Sequence, residues 1–289
     1  SLSIDSSLTN VMKAKYHRRD DKLRGRQLVA ARTISKNELI FCERPLCSLQ
    51  SLDNLGVFVC RCCRSFCGNA ALNLQLLSGE ISRQQVSTSE TSLVVPCRQG
   101  CGEVFCSKEC ENNFWPSHSL LCTGLIDEND EDHPLLQWKR HAVENNEIFL
   151  LVGDVISGIL ANPRLQEKVE DFTMVPWWDV VTLSSPTNPM ESSEASALKA
   201  SCKRLCEESA DLLRQAVSSK NVSDEVVTPL FVSQIIGSFE QNSMGIRSRH
   251  PLCRHILENT DFRHANLDSI IKCLERVGFI GNEDDNSDS

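Results

Sequence analysis

The 289-residue chain is 40% apolar and 24% charged, the make-up of a soluble globular protein with length for one large domain or two ordinary ones. Its net charge of −9 argues against the whole surface serving nucleic-acid binding, although a local basic patch stays open. The longest apolar run, Ile148 to Val152, falls far short of the roughly 20 residues of a membrane span. With 15 cysteines and no signal peptide at its start, the chain is expected in a reducing compartment, cytosol or nucleus.

Residues 1–23 read as a flexible basic flank; the basic run continues to Arg26, with Lys13, Lys15, Arg18, Arg19, Lys22, Arg24 and Arg26 set against Asp20 and Asp21, and a solvated face is expected rather than an acidic partner. In segment 24–58, Gln27 to Arg32 and Glu38 to Glu43 are two short apolar runs around the polar turn Ser35-Lys36-Asn37. That pattern predicts a β-hairpin between them, interrupted after Glu43 by Pro45.

Segment 59–123 carries the strongest signal. Its ligand-type residues run Cys60-x2-Cys63, then Cys97-x3-Cys101-x4-Cys106-x3-Cys110-x7-His118-x3-Cys122. Thiolates and a neutral imidazole suit a borderline-soft d¹⁰ cation, and four close pairs supply what two tetrahedral Zn²⁺ ions need. Randomly buried cysteines or a disulfide framework would not generate four consecutive pairs ending in His-x3-Cys. An interleaved pairing would put Cys60, Cys63, Cys106 and Cys110 on one zinc, and Cys97, Cys101, His118 and Cys122 on the other. Cys62 and Cys67 are spare, and either could take the place of Cys60 or Cys63. Between the first two pairs, Ala70 to Leu77 reads as a helix followed by a loose loop.

The acidic run Asp127 to Asp132 makes 124–133 a linker, and 134–280 turns helical. Leu135, Leu136, Trp138, Ala142, Val143, Phe149, Leu150, Val152, Val155, Ile156, Ile159 and Leu160 have helical spacing, with Gly153 and Gly158 weakening the interior. Trp177 and Trp178 read as an anchor packing a loop onto the core. A further helix shows a stripe of Leu198, Cys202, Leu205, Leu212 and Ala216, in which Cys202 and Cys206 are expected to be core residues rather than ligands. Thr228 and Pro229 form an N-cap and first helical residue for Leu230 to Phe239. His250, His255 and His264 fall in a final helical region with surface or packing roles. Residues 281–289 are an acidic tail.

The order of the cysteine pairs resembles the MYND zinc finger, in which the two sites interleave as above. Gly25-Arg26-Gln27-Leu28, then Glu38-Leu39-Ile40-Phe41, Glu43 and Pro45, resemble the opening of a SET domain. A SET-type start followed at once by a MYND finger is similar to the SMYD family of protein-lysine methyltransferases, nearest to its plant trithorax-related, SMYD-five-type branch. The resemblance implies an α+β fold: the start of a SET-type β fold, an inserted two-zinc MYND-like finger and a mainly helical second half. It also implies S-adenosylmethionine as cofactor, with Gly25, Arg26 and Asn242 in its pocket. A protein or histone-tail substrate, a peptide partner of the finger and a location in the nucleus, with the cytoplasm as a second compartment, follow from the same resemblance. Direct nucleic-acid binding is not expected, because Arg61, Arg64 and Arg98 are offset by Glu103, Glu109 and Glu111.

The family's late Asn-His-Ser-Cys motif is absent from this sequence, and its single tyrosine, Tyr16, precedes the expected hairpin. No catalytic residue is therefore assigned. The expectation is either part of a longer methyltransferase or a short form acting as an interaction module without turnover.

Overall fold

The computed structural model describes residues 15–21, 25–43, 45–52, 55–86, 94–125, 130, 132–172, 174–182, 192–220 and 223–246. The expected final helical region, with His250, His255 and His264, lies outside the described residues. Two compact units are present, Ser1–Leu46 and Cys47–Ser289.

In the first unit, β1 (Tyr16–Asp21) pairs antiparallel with β2 (Gly25–Ala30), in a register from Tyr16 opposite Ala30 to Asp21 opposite Gly25. A hairpin was expected here, but with different partners. Residues 27–30 pair backwards onto the presumed basic flank, and 38–43 form no strand. The reason is visible in Glu38. Its carboxylate accepts from the Ser35 backbone N–H at 3.1 Å and from Arg32, and it pairs with Lys15 at 3.2 Å. Those contacts hold its pKa down to about 2, chiefly through Arg32, and make 32–38 a polar turn rather than a strand junction. On β1, the consecutive charged residues Arg18 to Asp21 suit an exposed two-stranded ribbon, with charge on both faces. Hydrophobic spacing alone would not have selected that partner.

The second unit joins a cysteine-rich lobe to a helical body. The lobe holds α1 (Ala70–Ser78), β3 (Val95–Pro96) paired with β4 (Val104–Phe105), and α2 (Lys108–Leu121). Asn69 caps α1 by accepting from Leu72 N–H at 2.9 Å, and Gly79 ends it at φ 78°, the left-handed conformation a glycine adopts freely. The body holds α3 (Pro134–Asn145), α4 (Ile148–Ala161), α5 (Arg164–Glu170), α6 (Trp177–Val180), α7 (Ser192–Ser218) and α8 (Pro229–Asn242). The mixture is α+β and predominantly helical.

The long apolar stretch from Leu135 is two helices rather than one. Asn146 breaks it, its side chain accepting from Ile148 N–H at 3.0 Å while its backbone N–H closes on Ala142. That break leaves Val143, expected in the core, 56% exposed. On α7 the buried stripe is Cys202, Cys206, Ser209, Ala210, Leu213, Ala216 and Val217, whereas Leu198 is exposed and Leu205 and Leu212 flank the core. Small residues occupy the centre because α7 packs against Trp138, whose indole N–H donates to Ser209 Oγ at 3.2 Å. Cys202 and Cys206 are buried as expected, and burial pushes the Cys206 thiol up to about 12.

The helix glycines permit close approach. A Cβ on Gly153 would lie 2.3 Å from the Trp138 ring, and one on Gly237 would lie 1.9 Å from the Val175 carbonyl oxygen. Trp177 anchors the loop before α6. It is buried, its backbone N–H donates to Ser233 Oγ at 2.8 Å, and its ring meets Phe149 edge-on. Thr228 caps α8 by accepting from Phe231 N–H at 3.1 Å, with Pro229 at the first position. No helix among the described residues is long and apolar enough to cross a membrane.

His141 on α3 is buried against Phe149, with Nδ1 3.8 Å from Glu208 on α7. Burial outweighs the nearby carboxylate and lowers its pKa below 6.5. The unfolded chain therefore binds this proton more readily, so His141 costs stability as pH falls below about 6.5. Urea unfolding at pH 7.0 and 5.5 is expected to show a larger acid loss for the wild type than for His141→Gln.

Candidate metal centre

Two segments of backbone build the first half of the site. Val59 bridges Phe66 antiparallel, Cys60 N–H donates to Ser65 O, and Cys67 N–H donates to Phe58 O, both at 2.8 Å. The tight turn between them places Arg64 at φ 61°, a left-handed conformation uncommon for a non-glycine residue. This knuckle presents Cys60 and Cys63 toward Cys106 and Cys110, which lie just before and within the first turn of α2. Ser107 caps that helix by accepting from Cys110 N–H at 3.1 Å. A second knuckle, 97–101, is closed by Gly100 N–H donating to Cys97 O at 2.8 Å, with Gly100 at φ 73°. His118 sits near the end of α2, and Cys122 follows it. Cys110 and His118 are eight positions apart on the helix, a rise of about 12 Å, so the two serve different groups.

The result is two quartets: Cys60, Cys63, Cys106 and Cys110, and Cys97, Cys101, His118 and Cys122. In each, the ligand atoms lie within 4.8 Å of one another. Cys63 and Cys106 sulfurs are 3.6 Å apart, Cys106 and Cys110 3.5 Å, and Cys97 and Cys122 3.7 Å. His118 Nε2 lies 3.3 Å from Cys97 Sγ and 3.5 Å from Cys101 Sγ. A tetrahedron with Zn–S bonds of about 2.3 Å has S···S edges of about 3.8 Å, so both clusters have the dimensions of a closed structural zinc site. The second quartet is largely buried, whereas Cys63 and Cys106 of the first are exposed.

Protonation within the second quartet shows what a cation would replace. The Cys97 thiol is held far below its ordinary range by hydrogen bonds from Cys101 and Cys122, and Cys101 is pushed far above it by the same contacts. Burial alone would lower His118, but its side-chain contacts with Cys122 and Cys97 carry it up to about 9. Protons are thus shared among soft donors converging on one point. Cys60 is drawn down to about 3, foremost by a hydrogen bond from Cys67. Burial, followed by Cys110, raises Cys62 to about 12. Neither spare cysteine belongs to the first quartet, which is Cys60, Cys63, Cys106 and Cys110.

Around the ligands lies a shell that spacing did not reveal. Glu111 on α2 is fully buried, accepting from Arg98 N at 3.0 Å and Arg98 Nε at 2.9 Å, with Lys108 on its other oxygen. Arg98 also lies over the Trp115 ring, 4.4 Å from its centroid. Burial would raise the Glu111 pKa, but Arg98 and Lys108 lower it overall. Asn73 locks α1 to the first knuckle, accepting from Phe58 N–H at 2.8 Å and donating to Cys67 O at 2.9 Å. Arg61, between two cysteines, pairs with Glu103 at 3.3 Å and with Asp154 of α4, and Arg64 reaches Ser48 and Asp154. The one sequence clue to this clamp was Asp154 itself, a lone acid within an apolar helix.

The remaining predicted site residues are not gathered at this centre. Gly25 lies opposite Asp21 at the turn end of the β1–β2 ribbon, and exposed Arg26 lies opposite Asp20. Asn242 closes α8, its amide donating to Ser238 O at 2.8 Å, which fits a helix-end cap. Gly25 and Arg26 belong to the first unit and Asn242 to the second.

Fold and site together define a protein with a cross-braced Cys/His module, whose two interleaved quartets could each bind zinc, set on a helical body. Among known proteins, the chain is 26% identical over 215 residues to histone-lysine N-methyltransferase ATXR2 of Arabidopsis thaliana, covering 66% of this chain and 45% of that protein. The chain thus spans less than half the length of this curated relative. No family model matches the chain, and no solved structure matches it.

Removing zinc with a strong chelator is expected to unfold the cysteine-rich lobe, and Cys106→Ala or His118→Ala to mimic it, because metal binding contributes on the order of 10 kcal/mol in small structural sites. Circular dichroism and melting curves check this; unchanged secondary structure and melting would contradict it. Asp154→Ala leaves two arginines facing a buried gap and is expected to cost about 3–5 kcal/mol in urea unfolding.

Proposed function

We propose that this chain is the zinc-finger-bearing part of a SET–MYND-type protein-lysine methyltransferase that uses S-adenosylmethionine and acts on histone or other protein tails in the nucleus. The observation that carries the reading is the pair of interleaved quartets in MYND order, directly after a SET-like opening, in a chain similar to a histone-lysine methyltransferase. In this reading the lobe is structural. Its ligand sets are closed, four protein donors each, leaving no position for substrate on the metal. Methyl transfer requires a deprotonated amine held in line with the methyl sulfonium, which is a task of positioning. The residues that the resemblance offers for the cofactor are Gly25, Arg26 and Asn242.

A second reading is a zinc-stabilised docking module for a peptide partner. It is favoured by the completeness of the lobe: all eight donors and a separate apolar core around Phe58, Val94, Val104 and Phe105 lie within it. Direct nucleic-acid binding finds little support, because Arg61, Arg64 and Arg98 are engaged by Asp154, Glu103, Ser48 and Glu111.

The 289-residue chain, zinc-loaded and supplied with labelled S-adenosylmethionine and histones, is expected to show no methyl transfer, since the family's Asn-His-Ser-Cys motif does not occur in it. Robust turnover would overturn the assignment of catalysis to residues not present here. Sequencing the full transcript separates the two readings. A frame continuing into Asn-His-Ser-Cys and a later tyrosine supports the methyltransferase, and an abundant message ending after Ser289 supports the docking module.

A further inference from the structure

We propose that Cys63 and Cys106 form an oxidant-sensitive pair, at which a hydroperoxide turns two exposed ligand thiols into a reversible disulfide and empties the first quartet while the second keeps its ion. This inference rests on the zinc-module reading. Proximity alone does not single the pair out, since the Cys63 and Cys106 sulfurs are 3.6 Å apart and those of Cys97 and Cys122 are 3.7 Å apart. Access does. Cys63 and Cys106 are exposed, whereas Cys97 and Cys122 are buried and Cys101 is half-buried. Rings also wall the second quartet, with the centroids of Phe105, Phe114 and Trp115 at 6.0, 6.2 and 5.9 Å from that of His118. Within the first quartet Cys60 is buried and Cys110 half-buried, so its two exposed sulfurs are also neighbours. They stand 43 positions apart in the chain, one in the first knuckle and one just before α2.

The thiolate is both the form that ligates zinc and the form that attacks an oxidant. One sulfur of the pair attacks hydrogen peroxide: an S–O bond forms, the O–O bond breaks and hydroxide leaves, the sulfur having given up two electrons. The second thiolate then attacks that sulfenic sulfur, forming the S–S bond and breaking the S–O bond, and a second hydroxide leaves. Two thiolates and one peroxide thus give one disulfide and two hydroxides, with the peroxide as the sole oxidant. A resolving sulfur 3.6 Å away favours this outcome over further oxidation of the first. The disulfide leaves Cys60 and Cys110 as the remaining donors, half of the four that a closed structural site uses. A dithiol reverses the step by exchange and restores the quartet.

The test treats the full 289-residue chain, reduced, loaded with zinc and freed of excess metal, with hydrogen peroxide. Native mass spectrometry counts bound ions, a zinc-responsive dye follows release and peptide mapping locates disulfides. The expected course is two ions before oxidation and one after, a Cys63–Cys106 bridge, and two ions again after dithiothreitol and fresh zinc. The first ion is expected to leave at least about tenfold faster than the second, because oxidation follows thiolate exposure. Cys42→Ser, which removes an exposed thiol outside the lobe, is expected to leave the release and the bridge unchanged. Release of both ions together, a bridge between other cysteines, or a chain that keeps both ions overturns the proposal while leaving the zinc module intact. A chain that takes up no zinc before peroxide is added overturns the zinc-module reading and the proposal with it.

Discussion

The convergence of soft donors on two points is the constraint on which the cysteine-rich lobe depends. Seven thiols and an imidazole cannot all carry their metal-binding charge state at such separations without a cation between them, because like charges in a partly buried site repel strongly. The second quartet expresses that conflict, since its contacts push the Cys97 thiol far below the ordinary range and Cys101 far above it. A divalent ion resolves it at each point. The lobe's short strands and small apolar core would be a weak fold alone, and small domains of this kind commonly lean on a metal.

The metal points are connected to the helical body through charge rather than through apolar surface alone. Arg61 and Arg64 stand in the turn that also carries Cys60 and Cys63, and both reach Asp154 on α4. Whatever fixes the knuckle therefore fixes those arginines, and α4 presents Asp154 from beside Gly153, the position where Trp138 makes its close approach. The first quartet, the clamp and the Trp138 packing lie along one physical path from the lobe to the core. Such a path could carry order from a metal-loaded lobe into the helical body.

A closed finger beside a helical body and a separate two-stranded unit suits a methyltransferase whose cofactor pocket is completed by other segments. It equally suits a docking module, since nothing in the lobe requires those segments. The similarity to a plant histone-lysine methyltransferase weights the first reading, and the share of that protein which is spanned leaves its activity a proposal.

Local rules made much of this protein legible. The spacing of Cys60 to Cys122 is short-range information, since ligands three or four positions apart come from one turn, and the helix cap at Thr228 follows from a side-chain oxygen beside free N–H groups. The burial of Cys202 and Cys206 and the anchoring of Trp177 were likewise readable. Other features depended on contacts distant in sequence. Residues 27–30 pair with the charged strand before them while Glu38 is held in a polar turn, and Ser209 lies in the buried stripe of α7 because it meets the indole of Trp138. Asp154 met its arginines only when α4 packed beneath the knuckle, 93 residues away along the chain. Periodicity and ligand spacing report on neighbours along the chain, whereas strand partners, buried ion pairs and the thiols behind a metal site are settled by which distant surfaces meet.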